Sequence, residues 1–214
     1  MFGVKQIKNN KKSSFLKYLI SFVTVILLIY FAYPYWPKVQ YHITTLVNKN
    51  HAVPVSFSQL NTEGATQENV IKATDIAKTN KLLIPKINVE TNIVEGETLD
   101  VLNVYEGVWR EPGSSTPLVS GNMVLAGHRF QYLPPNTNTF YNLEEMEEGD
   151  DIYIQWQGVT FWYKVYKTML VNPDQIEVRN SDPDLVREIT LYTCTPLYTS
   201  ERRFVVKASL IGYQ

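Results

Sequence analysis

Two patterns of apolar and polar positions divide the 214-residue chain. From Tyr18 to Trp36 the sequence YLISFVTVILLIYFAYPYW contains no charged residue. A bilayer core about 30 Å thick is crossed by roughly 20 apolar residues of helix. A buried core helix would show a polar stripe towards water, and this run has none. A cleaved leader would have a shorter apolar stretch followed by small residues. Here the run ends in Tyr33-Pro34-Tyr35-Trp36-Pro37, with aromatic residues suited to a membrane interface and prolines that stop a helix. The pattern predicts an uncleaved transmembrane anchor over 18–36.

From residue 81 the period changes. Short β-branched and aromatic runs are separated by turn residues such as Gly149-Asp150, Gly158 and Asn172-Pro173. The strand candidates are LLIPKINVETNIV (82–94, broken at Pro85), Met123–Ala126, Ile152–Trp156, Thr160–Tyr166, Met169–Val171, Ile189–Thr193 and Phe204–Leu210. Helical signals are short: Leu99–Tyr105, Tyr141–Met146 and Asp182–Arg187. Many short strands with few helices predict an all-β barrel or sandwich. The polar stretch SQLNTEGATQENVIKATD (58–75) reads as part of a stalk, possible helix included. The domain plan is a basic tail (1–17), the anchor (18–36), a stalk (37–80) and one folded domain (81–214).

Charge sharpens this plan. The total is −1, yet residues 1–62 hold seven Lys and no Asp or Glu. The remaining 152 residues carry 13 basic against 21 acidic side chains, a net charge of −8. Lys5, Lys8, Lys11, Lys12 and Lys17 flank the start of the span, so the positive-inside rule keeps the N-terminus in the cytoplasm and the domain outside the membrane. The acidic domain argues against a nucleic-acid partner, since a polyanion binds through Lys and Arg. With 44% hydrophobic and 13% aromatic residues, the chain is neither disordered nor collagen-like.

Cys194 is the only cysteine. A single thiol outside the membrane has no partner within its chain, and is a small buried hydrophobe, an intermolecular bridge or a reactive group. Its setting favours reactivity. It closes the strand ITLYTC before Thr195-Pro196, and Arg202 and Arg203 follow after a short loop. If the flanking strands pair, a guanidinium lies near the sulfur, where it favours thiolate and supports a developing oxyanion. His128 ends another apolar strand, MVLAGHRF, while His42 and His51 fall in the stalk. Nucleophile, acid–base and oxyanion support together compose a thiol acyl-transfer site.

At these residues the chain resembles the sortases, membrane-anchored cysteine transpeptidases of bacterial surfaces. VLAGHR (124–129) resembles their strand-end His motif, TLYTCTP (190–196) their T-L-x-T-C nucleophile motif, and RRFVVKA (202–208) their Arg-bearing last strand. LLIPKINVETNIVEG (82–96) and LEEMEEGDDIYI (143–154) resemble the opening and central segments, so the likeness covers roughly 81–214. It implies an eight-stranded β-barrel, with Cys194 as nucleophile, His128 as acid–base and Arg203 as oxyanion and substrate stabiliser. Strand alternation separates Arg202 from Arg203, and Arg202 shares a face with Phe204, Val206 and Ala208, which reads as core. The implied reaction attacks the Thr carbonyl of an LPXTG-like sorting signal and forms a thioacyl enzyme. An amine from a peptidoglycan precursor or a pilin Lys then accepts the acyl group. The absence of an Asp-Pro lid motif in 38–80 and of an apolar run after the last strand favours a housekeeping or class D/E-like type. The loop 172–188 sits where such enzymes shape the substrate groove.

The acidic cluster Glu144, Glu145, Glu147, Glu148, Asp150 and Asp151 does not have the spacing of a calcium loop and reads as a solvated face. No metal or organic cofactor is expected. The competing readings are an anchored, non-enzymatic β-domain that binds partners, with Cys194 in its core, and a different thiol acyltransferase acting on wall peptides.

Overall fold

The computed structural model describes residues 10–36, 38–39, 42–43, 80–131, 138–197 and 199–214. Most of the expected stalk, including His51 and the stretch 58–75, lies outside the described residues. The chain divides into two units, Met1–Ala52 and Val53–Gln214.

In the first unit, helix α1 runs Asn10–Ala32. Its apolar part is Phe15–Ala32, fully outward-facing and beginning three residues before the expected span. Eighteen residues at about 1.5 Å each reach roughly 27 Å, close to a bilayer core. The α-helix stops at Ala32 and tightens into a 3₁₀ turn at Tyr33–Tyr35, because Pro34 has no N–H to continue the ladder.

The second unit is a closed barrel. Its strands are β1 (Lys81–Ile84), β2 (Val89–Glu95), β3 (Val108–Arg110), β4 (Gly121–Ala126), β5 (Asp151–Trp156), β6 (Val159–Val171), β7 (Arg187–Thr195) and β8 (Arg202–Tyr213). They close in the order β1-β2-β3-β4-β7-β8-β6-β5. The β2–β3 and β4–β7 pairs are parallel and the rest antiparallel. Strand alternation sends Leu82, Ile84, Met123, Leu125, Ile152, Ile154, Ile189, Leu191, Val206 and Ala208 into the interior, where each is at most 1% exposed. The expected fold class is present: an eight-stranded barrel with short helical turns, and one long apolar helix near the N-terminus.

The structure corrects the expected elements in three places. Thr160–Tyr166 and Met169–Val171 belong to one long strand, β6, whose register against β8 slips at Trp162/Tyr163 and Val165/Lys167. Bulges bend a strand without ending it. Asp182–Arg187 is not helical: Leu185 N–H donates to Asp182 O (3.0 Å), Asp184 N–H donates to Asp182 Oδ1 (3.0 Å), and β7 begins at Arg187. An aspartate that bonds the backbone two residues on makes a turn in preference to a helix. The other two helical signals are 3₁₀ turns, Leu99–Asn103 and Leu143–Glu145.

Candidate active site

Three neighbouring strands, β4, β7 and β8, build one face on the outside of the barrel. Across the antiparallel β7–β8 pair, Cys194 stands opposite Arg203, Tyr192 opposite Val205, Thr190 opposite Lys207 and Glu188 opposite Ser209. Directly opposed residues share a face. Across the parallel β4–β7 pair, Asn122 aligns with Glu188, Val124 with Thr190 and Ala126 with Tyr192. The register continues past the last strand residue, since Gly127 N–H donates to Tyr192 O (3.2 Å) and Thr193 Oγ1 donates to Gly127 O (2.8 Å). The top rung of the face is Cys194 opposite Arg203, across strands spaced about 4.8 Å apart. His128 comes two residues after Ala126, the last paired residue of the neighbouring strand β4.

Cys194 and Arg203, nine residues apart in sequence, stand opposite each other. Arg202 pairs with Thr195 and lies on the opposite face; its Nη2 donates to Leu170 O (3.4 Å). Arg203 Nη1 donates to Ser200 O (2.9 Å) and Arg202 O (3.0 Å), which ties the guanidinium to the β7–β8 turn beside the thiol. Cys194 is unpaired and half-buried, so it is not part of the core.

Gly127 explains why His128 has a glycine before it. A Cβ there would lie 2.7 Å from the Phe140 ring, which is fully buried. Phe140 N–H in turn donates to His128 O (2.9 Å). The His128 Nε2 is buried without a hydrogen-bond partner. Burial holds the His128 pKa below the ordinary histidine value, so the neutral ring dominates at neutral pH. Tyr192 is raised above the ordinary phenol value, first by burial and then by Glu111, with Arg179 and Arg203 opposing and the Cys194 charge adding.

Three residues that sequence reasoning did not select bond to one another beside these positions. Arg129 follows His128 and Thr195 follows Cys194. Arg129 Nη2 donates to Glu144 Oε2 (2.6 Å) and Nη1 to both Glu144 Oε1 and Thr195 Oγ1 (2.7 Å). Thr195 Oγ1 donates to Glu144 Oε1. This bidentate clasp joins the end of β4 to the end of β7. Glu144 departs from the expected solvated face, being mostly buried in the clasp, whereas Glu147 and Glu148 are exposed as expected; Lys86 pairs with Glu147 and Asp150 at 2.8 Å each. The available signal was position, each of Arg129 and Thr195 being adjacent to a candidate residue. Among the described residues, no group of three or more His, Cys, Asp or Glu side chains is placed to hold a metal ion.

Further down the face Glu188, Asn122, Thr190 and Lys207 have partners. Glu188, 1% exposed, accepts from Tyr166 Oη (2.8 Å) and Asp182 N–H (2.9 Å) and faces Lys207 Nζ at 3.4 Å. Asn122 Nδ2 donates to Thr190 Oγ1 (2.8 Å) and to Arg179 O (2.7 Å). The connection 172–186 is thereby fastened onto the floor made by β4, β7 and β8.

The chain is similar to known proteins. The sortase domain profile matches residues 82–211. The chain belongs to the sortase family. It is 33% identical over 145 residues to Sortase SrtE2 of Streptomyces coelicolor, covering 61% of this chain and 54% of that protein. It is 34% identical over 115 residues to Sortase D of Bacillus subtilis, covering 54% and 53%. The chain thus spans about half the length of these relatives. Among solved structures, the Clostridium perfringens Sortase D5 transpeptidase superposes with a TM-score of 0.53 at 30% identity, covering 70% of this chain and 91% of that one. Sortase E1 of Streptomyces coelicolor, with a tripeptide in its active site, gives 0.57 at 26% identity, covering 64% and 91%.

Proposed function

We propose that this protein is a membrane-anchored cysteine transpeptidase that cleaves an LPXTG-like sorting signal and transfers the new C-terminus to an amine. The observation that carries the reading is Cys194 opposite Arg203 on one outer face of the barrel, with His128 following the end of the neighbouring strand β4. The thiol ends a strand held rigidly on both sides, as a nucleophile requires. Buried, mainly neutral His128 accepts the thiol proton and then delivers it to the departing amine. The charged thiolate–imidazolium pair is the minority form, because burial disfavours the imidazolium. Arg203 supplies positive charge where the carbonyl oxygen becomes negative. The thioester retains acyl-transfer potential until an amine, from a peptidoglycan precursor or a pilin Lys, displaces the sulfur. The apolar helix Phe15–Ala32 is the anchor, with the N-terminal lysines on the cytoplasmic side and the barrel outside.

The test uses the full chain in detergent micelles with a library of sorting peptides, read by intact mass. The expected product is an acyl adduct on Cys194 that an added amine discharges, with none on Cys194→Ala. An anchored binding domain would instead hold a peptide with its thiol unmodified.

A further inference from the structure

Apolar side chains gather at the end of the barrel away from the thiol. The β7–β8 pair runs from Cys194 and Arg203 down to Glu188 and Ser209. Past this last pair stand Val186, two residues before Glu188, and Ile211, two residues after Ser209. Gly121 N–H donates to Val186 O (2.9 Å), which sets Leu118 and Val119, just before β4, near it. Across β8, Trp162 pairs with Gly212 and Phe161 with Tyr213. Leu118, Val119, Trp162, Val186, Ile211 and Tyr213 range from 40% exposed at Trp162 to 72% at Val186. The other exposed large apolar residues among the described barrel residues are Leu170, opposite Phe204 towards the Arg203 end, and Val104 and Tyr105 between β2 and β3.

Two local features keep this end apolar and open. A Cβ on Gly212 would meet nothing within 4 Å, so the space beside Trp162 is empty of protein. The register slip at Trp162/Tyr163 leaves Ile211 between the paired Leu210 and Gly212, and a bulge of this kind re-aims a side chain. Trp162 Nε1 already donates to Asp151 Oδ1 (2.8 Å), so the indole needs no polar partner from outside. Apolar residues scattered singly over a surface need no explanation, whereas a set gathered at one end marks a contact.

The chain itself points to the occupant. It enters the barrel at this end: Gln157 N–H donates to Asn80 Oδ1 (3.1 Å), and Lys81 pairs with Gln155. Gln155 belongs to β5, whose hairpin partner β6 carries Trp162. The same chain holds the apolar helix Phe15–Ala32, long enough to cross a bilayer. A tether makes a second contact with that bilayer intramolecular, so a patch of modest affinity suffices. Tyr and Trp suit the bilayer interface, where the ring is apolar and its polar tip stays wet.

We infer that this end of the barrel docks on the lipid surface, with Val119, Val186, Ile211, Trp162 and Tyr213 entering the headgroup layer. Arg203 and Tyr213 lie ten residues apart on β8, about 30 Å at roughly 3.3 Å per residue. Docking at the Tyr213 end therefore turns the thiol away from the lipid. The inference rests on the membrane anchor in the reading above and adds a second membrane contact to it.

The test uses the full chain with Cys194→Ala in phosphatidylcholine nanodiscs, carrying one nitroxide label at a time on Val186→Cys, Leu170→Cys or Val25→Cys. Electron paramagnetic resonance compares collisions with oxygen, which concentrates in lipid, and with a nickel chelate, which stays in water. The oxygen-to-nickel ratio at position 186 is expected to exceed that at 170 by at least about fivefold, as for a side chain in the bilayer interface. Val119→Asp with Ile211→Asp should bring it to within about twofold of the 170 value, because an unpaired carboxylate opposes burial in lipid. The wild-type surface should keep its ratio in about 1 M salt, where charge contacts are screened. If the aspartate variant does not fold, the comparison of positions 186 and 170 decides by itself. Equal ratios at those positions overturn the inference. A label at 186 shielded from both oxygen and nickel overturns it too, because protein, such as a second copy of the chain, then covers the face. Collapse of the ratio in high salt also overturns it, as the mark of a charge contact. In each of these cases a high ratio at position 25 leaves the anchor standing, whereas a low one there overturns anchor and docking together.

Discussion

The same three strands carry two very different ends of one face. At the lower end, Asn122, Thr190, Glu188, Lys207, Tyr166 and the connection backbone satisfy one another, and Glu188 and Lys207 are almost completely buried. At the upper end, His128 Nε2 is buried without a partner and Cys194 is unpaired. Both ends share the β7–β8 pairing, so that pairing alone does not explain the difference. Polar groups that only support a fold are satisfied within it, whereas groups that meet a substrate keep bonding capacity in reserve. The lower end should therefore respond to substitution in stability, and the upper end in chemistry.

The sharpest way to break this division is at the thiol. Cys194→Ala is expected to remove acyl transfer by at least about 10⁴-fold, as loss of a nucleophile does. Its barrel should unfold at nearly the wild-type denaturant midpoint, because no neighbouring polar group depends on the sulfur. Adduct mass and tryptophan fluorescence on the same sample check both halves. A large loss of stability in this variant would place Cys194 among the supporting residues.

The reverse behaviour is expected at Glu188. Replacing it with Ala leaves Lys207 buried without its carboxylate and removes the acceptor for Tyr166 and for the Asp182 N–H. Breaking a buried pair by removing one partner costs about 3–5 kcal/mol. Denaturant unfolding should show that loss. Acylation by the fraction still folded should change less than threefold in kcat.

These two ends were unequally legible in the sequence. The runs MVLAG, ITLYTC and RRFVVKA announced β4, β7 and β8, and alternation placed Arg203, not Arg202, with the thiol, as the pairing of Cys194 with Arg203 now has it. Strand β3 was not legible, because Val108–Arg110 is three residues long and its burial comes from neighbours rather than from a period of its own. The bulged β6 read as two strands, since a bulge breaks alternation without leaving a turn residue. Arg129 and Thr195 are marked only by their adjacency to His128 and Cys194, and nothing local marks their partner Glu144, 15 and 51 residues away. Glu144 sits in a run of acids whose composition suggests water, and only the closed barrel brings it to Arg129.

The clasp sharpens the comparison, because it is a satisfied network placed directly behind the unsatisfied rung. Glu144→Gln keeps shape and loses the charge that holds Arg129 and Thr195. If the clasp sets the spacing of His128 and Cys194, kcat should fall about 10–100-fold with KM little changed, the size expected when reacting groups are displaced by about 1 Å. Glu144→Asp should recover part of that loss, and the rate of thiol alkylation against pH should shift in the Gln variant. A purely stabilising clasp would lower the unfolding midpoint and leave that pH profile unmoved.

The smallest expected effect is the most direct measure of the cost at the upper end. Burial depresses the His128 pKa, so the folded protein holds this ring neutral where the unfolded chain, with an ordinary value near 6.5, already takes up a proton. Between the two values the unfolded state binds more protons, and stability rises with pH. The contribution of neutral His128 is therefore fully present above pH 6.5 and is lost as pH falls towards the depressed folded value. One titrating group is limited to about 1.4 kcal/mol per pH unit, and the partial exposure of this ring keeps the slope below that limit. His128→Gln keeps a polar side chain and removes the titration. Denaturant midpoints at pH 7.5 and 5.5 should therefore fall further in the wild type than in the variant, while His42 and His51 are common to both and cancel. Equal falls would mean that the imidazole is as easily protonated in the barrel as in water, and that its buried Nε2 is not held neutral for proton transfer.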